Sequence, residues 1–337
     1  MSKKKTITVV LIADEKIGTG HLMRVNAILE NFKDCYLTLV SNSLSTRVFP
    51  LCTNFDEFSM VDEFDELVTS TLCEEPDLVI IDDYYLDSEF EKELYPYTKV
   101  VVIDDLCNRP HQCHLLFDQD PGKSEASYKP LVNKECKLCI GGDYNYIKDS
   151  FNHIEKTPSK SGKYRVLVNF GGSDPVHGCL SCTKAILSSN LYEKYDFTIL
   201  CGLSNPNYEE IVKLTKDTPL IKVLKHTEDV PKLFSQTDLA IGACGGMFKE
   251  RIIAKIPSIN VEIADNQAGV GKFVTDNRLG NSLTVAKLSD AKSIDSALQD
   301  LIENFDTYQH NCEHTYNGQG LKNVVAEIRK LLESSGR

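Results

Sequence analysis

One pattern constrains this chain more than any other: long apolar runs alternate with amphipathic stretches, and the series is written out twice. In the first half "ITVVLIA", "CYLTLVS", "PDLVIID", "KVVVIDDL" and "HLLFDQ" are separated by stretches such as "HLMRVNAILENF" and "SEFEKELY". Continuous Val/Ile/Leu runs spaced by helical periodicity are what parallel strands covered on both faces require. After the polar stretch "NHIEKTPSKSGK", residues 152 to 163, the alternation restarts with "YRVLVNFGGSD", "YDFTILCG", "PLIKVLKH", "LAIGACGG" and "SINVEIA".

At 337 residues the chain exceeds what one hydrophobic core usually serves. The expected fold class is therefore α/β, with two Rossmann-like open parallel-sheet domains. Residues 1–153 form the first and 163–320 the second, with the amphipathic run "GLKNVVAEIRKLLESS" as a terminal helix over 321–337. Ligands of such sheets sit beyond the carboxyl ends of the strands, so an interdomain cleft is the expected site.

A net charge of -12 and the absence of Trp argue against nucleic acid as a partner, since that surface needs a basic footprint and stacking rings. Neither a signal peptide nor a membrane anchor is expected, because "ITVVLIA" is short and runs into "DEKIG"; the expected location is cytoplasmic. The pairs Cys136/Cys139 and Cys179/Cys182 have the spacing of metal ligands but lack convincing partners, and core thiols are the simpler reading. His310 and His314 in "HNCEH" read as an exposed helical pair, so no metal and no cofactor are expected.

The stretch "KIGTGHLMR" supplies Gly18, Gly20, His21 and Arg24 directly after the first strand. A dinucleotide fingerprint needs a third glycine three residues after the second, and Met23 stands there. The two glycines are instead expected to let the chain turn tightly and to set His21 at the start of a helix. The positive helix end disfavours imidazolium, which predicts a neutral histidine able to accept a proton; the competing reading is a histidine that only caps the turn. Arg24, one turn on, reaches either a ligand or a core carboxylate. Two acidic pairs, Asp82/Asp83 and Asp104/Asp105, end buried-type strands, and one of the four is expected to orient His21 while others cap loops. Asp83 is taken with His21 as the catalytic pair. Tyr84, Asp105, Asn108 and Arg109 join Gly18, Gly20 and Arg24 as candidate substrate-binding residues.

In the second half "NFGGSD" offers Gly171, Gly172, Ser173 and Asp174 before a helix, where backbone N–H groups and the helix dipole can hold a phosphate. "GACGGMFKE" repeats the arrangement with Gly245, Gly246 and Met247, and places Glu250 to accept from ribose hydroxyls. Gly202 in "LCGLSNP" and the amides Asn266 and Gln267 in "IADNQ" complete the candidate nucleotide-binding set, although an Asn-Gln turn bonding its own backbone explains the last pair equally well.

Taken in order and spacing, "IGTGHLMR", "IDDYYLD", "VVIDDLCNRPHQCHLLFDQ", "VNFGGSDP", "LCGLSNP", "LAIGACGG…KER" and "EIADNQ" resemble the PseG family. These are UDP-2,4-diacetamido-2,4,6-trideoxy-β-L-altropyranose hydrolases of pseudaminic acid biosynthesis, relatives of the SpsG- and MurG-like GT-B proteins. The resemblance runs over about residues 6 to 290. It implies a GT-B fold and metal-independent, inverting hydrolysis of a nucleotide sugar at its anomeric carbon. By the same resemblance His21 activates water, the glycine turns of the second domain hold the diphosphate, Glu250 binds the ribose, and Asn266 and Gln267 line the nucleotide and sugar end.

The chain departs from that pattern at several places. "CGGMFKE" has Met247 and Lys249 where the family commonly has a hydroxyl donor and an aromatic residue, so backbone N–H groups or Lys249 would serve the diphosphate. Asp83 replaces a frequent histidine, and "IGGDYNYIKDSF" replaces a "GPEYALLR"-like segment. Two other functions fit the same residues: transfer of the sugar to a hydroxyl acceptor, and nucleotide-sugar binding without turnover.

Overall fold

The computed structural model describes residues 4–12, 20–44, 49–120, 122–227, 229–264, 267–316 and 318–334. The chain divides into two units, Met1–Lys148 with Gly318–Arg337, and Asp149–Asn317.

The first unit is built on a seven-stranded sheet in the order β3-β2-β1-β4-β5-β6-β7. Its strands are β1 (Thr6–Leu11), β2 (Tyr36–Ser41), β3 (Glu57–Met60), β4 (Leu78–Asp82), β5 (Lys99–Ile103), β6 (Leu115–Asp118) and β7 (Lys137–Ile140). Every pairing is parallel. The central strands β1 and β4 are buried along their whole length, as their unbroken apolar runs require. One face packs Ile7, Val9, Leu11, Ile80 and Val101 with Leu22, Val25 and Ile28 of the helix Gly20–Leu29. The other packs Val10, Val79, Ile81 and Val102 with Phe90 and Leu94.

The last helix, Gly320–Glu333, belongs to this first unit. Val324, Ile328 and Leu332 enter the first face of the sheet, and the Arg329 guanidinium lies 4.7 Å from the Phe32 ring centre while pairing with Asp34. Its first residue presses on Asn145: a Cβ added at Gly320 would come within 2.2 Å of the Asn145 amide.

The second unit carries a six-stranded parallel sheet in the order β10-β9-β8-β11-β12-β13. Here the strands are β8 (Arg165–Asn169), β9 (Asp196–Leu200), β10 (Ile221–Leu224), β11 (Leu239–Ala243), β12 (Ser258–Val261) and β13 (Gly280–Ser282). Both sheets have the doubly wound order in which the chain reverses direction beside the first strand. A crevice therefore opens at the strand ends between β1 and β4 in one unit, and between β8 and β11 in the other. Among the described residues no helix is long and apolar enough to cross a membrane. All twelve cysteines are free, and Cys139, Cys179 and Cys182 are fully buried core residues.

Candidate active site

At the switch point of the first sheet, register brings two chain segments together. Leu11 at the end of β1 pairs with Asp82 at the end of β4, and the helix carrying His21 begins at Gly20. His21 Nδ1 lies 2.6 Å from Asp82 Oδ1, with 4% of the histidine and none of the aspartate exposed. Arg24 Nε donates to Asp82 Oδ2 at 2.6 Å, its Nη2 donates to Asp82 Oδ1, and its Nη1 donates to Asp105 Oδ2 at 2.9 Å. The edge of the Tyr84 ring meets the imidazole at 4.5 Å between centres, and the Tyr84 hydroxyl donates to Asp105 at 3.3 Å.

Charge follows from this geometry. Burial opposes ionisation of Asp82, but Arg24 and His21 outweigh it and hold the carboxyl well below the usual range. Burial likewise opposes protonation of His21, and the Asp82 carboxylate overcomes it, so the imidazole is raised above its ordinary value. The neutral-side bias expected from the helix start is thereby corrected: a full charge at 2.6 Å outweighs the partial charge of a helix end. The Nδ1–H is committed to Asp82, and Nε2 is the nitrogen left to exchange a proton.

The other expected residues of this unit sort by what they touch. Asp83 is not the carboxylate against His21: its Oδ1 accepts from the backbone N–H groups of Tyr85 and Leu86, which shapes the turn after β4. Arg109 ties two loops together, donating to Leu86 O, Asp83 O and Asp104 Oδ1. Asp104 is fully engaged by Arg109, Cys107 N and the Tyr128 hydroxyl. Asn108 is exposed on the loop after β5. Gly20 has open space where a Cβ would stand and no left-handed backbone; Gly18 lies outside the described residues.

In the second unit the glycine turns follow the two switch-point strands. Gly171, Gly172 and Ser173 are exposed after β8, with Gly171 at φ +87° and its N–H bonded to Asn169 Oδ1. Gly202 stands against this turn at φ +94°, where a Cβ would fall 2.5 Å from Gly172 O. Asp174, expected beside a nucleotide, is instead buried as a helix cap: its carboxylate accepts from Gly178 N, Cys179 N and the Asn205 amide. Gly245 and Gly246 open the helix Gly246–Ile253 directly after β11, with Met247 and Glu250 partly buried in its first turns. Gln267 lies beside Gly245, its amide nitrogen 3.6 Å from where a Cβ would stand, and its Oε1 accepts from Ile263 N. Asn266 falls outside the described residues. Among the described residues no group of three or more His, Cys, Asp or Glu side chains is arranged to hold a metal ion.

Two residues of consequence were not singled out from sequence. Tyr146 buries its phenol beside the His21 cluster, and Arg251 is wholly buried beneath the 243–246 turn, donating to Ala243 O and Asn260 Oδ1. Both lie in quoted stretches, "IGGDYNYIKDSF" and "KER", but a core tyrosine and a helix-end arginine are ordinary there and neither draws attention by itself.

Two open parallel sheets of Rossmann order, each with its loops at the switch point, make this a GT-B fold. Among solved structures it is similar to MurG of Acinetobacter baumannii, at a TM-score of 0.65 and 14% identity, covering 97% of this chain and 99% of that one. No family model matches the chain. It is 24% identical over 257 residues to the UDP-2,4-diacetamido-2,4,6-trideoxy-β-L-altropyranose hydrolase of Campylobacter jejuni, spanning 72% of this chain and 86% of that protein. It is also 19% identical over 339 residues to the spore coat polysaccharide biosynthesis protein SpsG of Bacillus subtilis, spanning 94% and 95%. The resemblance to the PseG family drawn from the motifs is thus found again over most of the chain.

Proposed function

We propose that this protein hydrolyses a UDP-linked acetamido-deoxy sugar at its anomeric carbon, with inversion, in nonulosonic acid biosynthesis of the pseudaminic type. The observation that carries the reading is the buried His21–Asp82 pair at the switch point of the first sheet. His21 Nε2 takes a proton from water as the water oxygen forms its bond to the anomeric carbon. The bond from that carbon to the diphosphate oxygen breaks, and the electron pair leaves with UDP. Asp82 holds the tautomer and meets the positive charge that the imidazole gains; general-base help of this kind is worth about 10²- to 10⁴-fold.

The N–H groups of Gly172 and Ser173 in the turn after β8, and of the helix start at Gly245–Gly246, are the groups we assign to the diphosphate, in keeping with anion binding at such turns. Glu250 is assigned to the ribose, Gln267 to the nucleotide end, and Arg24, Tyr84 and Asp105 to the sugar. The similarity to a hydrolase acting on a UDP-sugar supports both halves of this assignment. No metal enters the mechanism.

Transfer to a hydroxyl acceptor is the second reading, since the fold is shared with a calicheamicin glycosyltransferase. Incubating purified protein with UDP-, GDP- and CMP-linked acetamido sugars, with products followed by NMR, separates the two. Free sugar and UDP released in water alone support hydrolysis. Release only with an added acceptor supports transfer, and tight binding without turnover across the panel leaves a binding module.

A further inference from the structure

Beside the His21 cluster lies a hydrogen-bond donor that the mechanism above does not use. Tyr146 is 3% exposed, and its hydroxyl has no hydrogen-bond partner. Its ring packs in the core cluster that holds Leu11, Leu22 and Ile103, next to the strand end and helix start that carry Asp82 and His21; burial keeps the phenol neutral.

Several of the acceptors around it are already served. Asp82 accepts from His21 and Arg24, and Asp105 Oδ2 accepts from Arg24 and Tyr84. Asp118 accepts from Asp120 N and the Tyr128 hydroxyl, each at 2.8 Å. The Gln119 side-chain oxygen takes Tyr146's own backbone N–H. A buried hydroxyl without a partner is costly to the folded state, so a chain that keeps one gains from it elsewhere.

The segment is also held firmly. Asn145 brackets it, donating to Gly142 O and accepting from Ile147 N, and the terminal helix packs on Asn145 while Asn323 donates to Asp143 O. A fixed, surplus donor in a cluster of charged side chains suits a ligand oxygen.

We propose that Tyr146 is a specificity-determining residue whose phenol donates a hydrogen bond to a neutral oxygen of the substrate's sugar, a hydroxyl or an acylamide carbonyl. This rests on the nucleotide-sugar reading given above.

The test compares wild type with Tyr146→Phe, which deletes only the hydroxyl, by calorimetric titration of the full chain with UDP and with UDP-N-acetylglucosamine. The expected result is a loss of about tenfold in UDP-N-acetylglucosamine affinity, UDP affinity held within twofold, and a melting temperature unchanged or raised. Tyr146→Leu, as a second variant, is expected to lose at least as much sugar-nucleotide affinity. A ratio of the two affinities that is the same in wild type and variants overturns the proposal, even where wild type releases UDP from the sugar nucleotide. If wild type binds neither compound, the nucleotide-sugar reading falls and this inference falls with it.

Discussion

His21 and Asp82 meet through a 2.6 Å hydrogen bond in which neither partner has appreciable contact with solvent, and Arg24 closes the other side of the same carboxylate. The imidazole is thus held in one tautomer, with a fixed negative partner behind it.

If that pair supplies the base, His21→Asn lowers kcat by at least tenfold while UDP affinity is largely kept. Steady-state kinetics beside UDP titration decides this, and an unchanged kcat removes His21 from the chemistry.

Activity should fall on the acid side as His21 gains its proton. Because Asp82 raises the imidazole above 6.5, the acid limb of kcat/KM should have its midpoint above that value. Asp82→Asn should move the limb to lower pH and cut kcat about 10²-fold or more. The sign for stability is opposite for the two partners. Ionic stabilisation from His21 is complete below its unfolded pKa and is lost as pH rises through the higher folded one. That from Asp82 is present above its unfolded pKa and is lost as pH falls toward the depressed folded one. Denaturation midpoints measured across pH report both.

Asp174 caps the helix that follows β8. Asp174→Ala strips two backbone N–H groups and the Asn205 amide of their buried acceptor, and should cost about 1–3 kcal/mol in urea unfolding. A loss below about 0.5 kcal/mol contradicts the capping role.

Gly202→Ala tests the turn thought to hold the diphosphate. At φ +94°, with a Cβ falling 2.5 Å from Gly172 O, the alanine forces the Gly171–Gly172 turn aside. We expect about 1–2 kcal/mol of destabilisation and weaker UDP binding. Thermal melts run with and without UDP separate these effects.

Much of the architecture was legible in the primary structure because buried parallel strands leave unbroken apolar runs. The runs ending at Leu11, Asp82, Asn169 and Ala243 mark all four switch-point strands. The edge strands β3, β7 and β13 were missed: "EFSM", "KLCI" and "GNS" are short and partly exposed, so they carry no such run. Within the site, His21 and the acidic pair were legible, but the choice between Asp82 and Asp83 was not. Neighbouring residues at a strand end point to opposite sides, and only the register of β4 against β1 says which side faces the helix. Asp174 misled for a related reason, since a carboxylate before a helix reads alike whether it caps that helix or faces a ligand.

The terminal helix has a consequence for how the chain comes into being. Val324, Ile328 and Leu332 are core side chains of the unit whose sheet begins at Thr6. On the ribosome the second unit therefore has all its residues first, and the opening sheet waits with part of one apolar face uncovered until residues 320–333 emerge. Residues 1–148 made alone would keep that part exposed. A loss of even the last twenty residues would be felt at the opposite end of the sequence, in the sheet that carries Asp82.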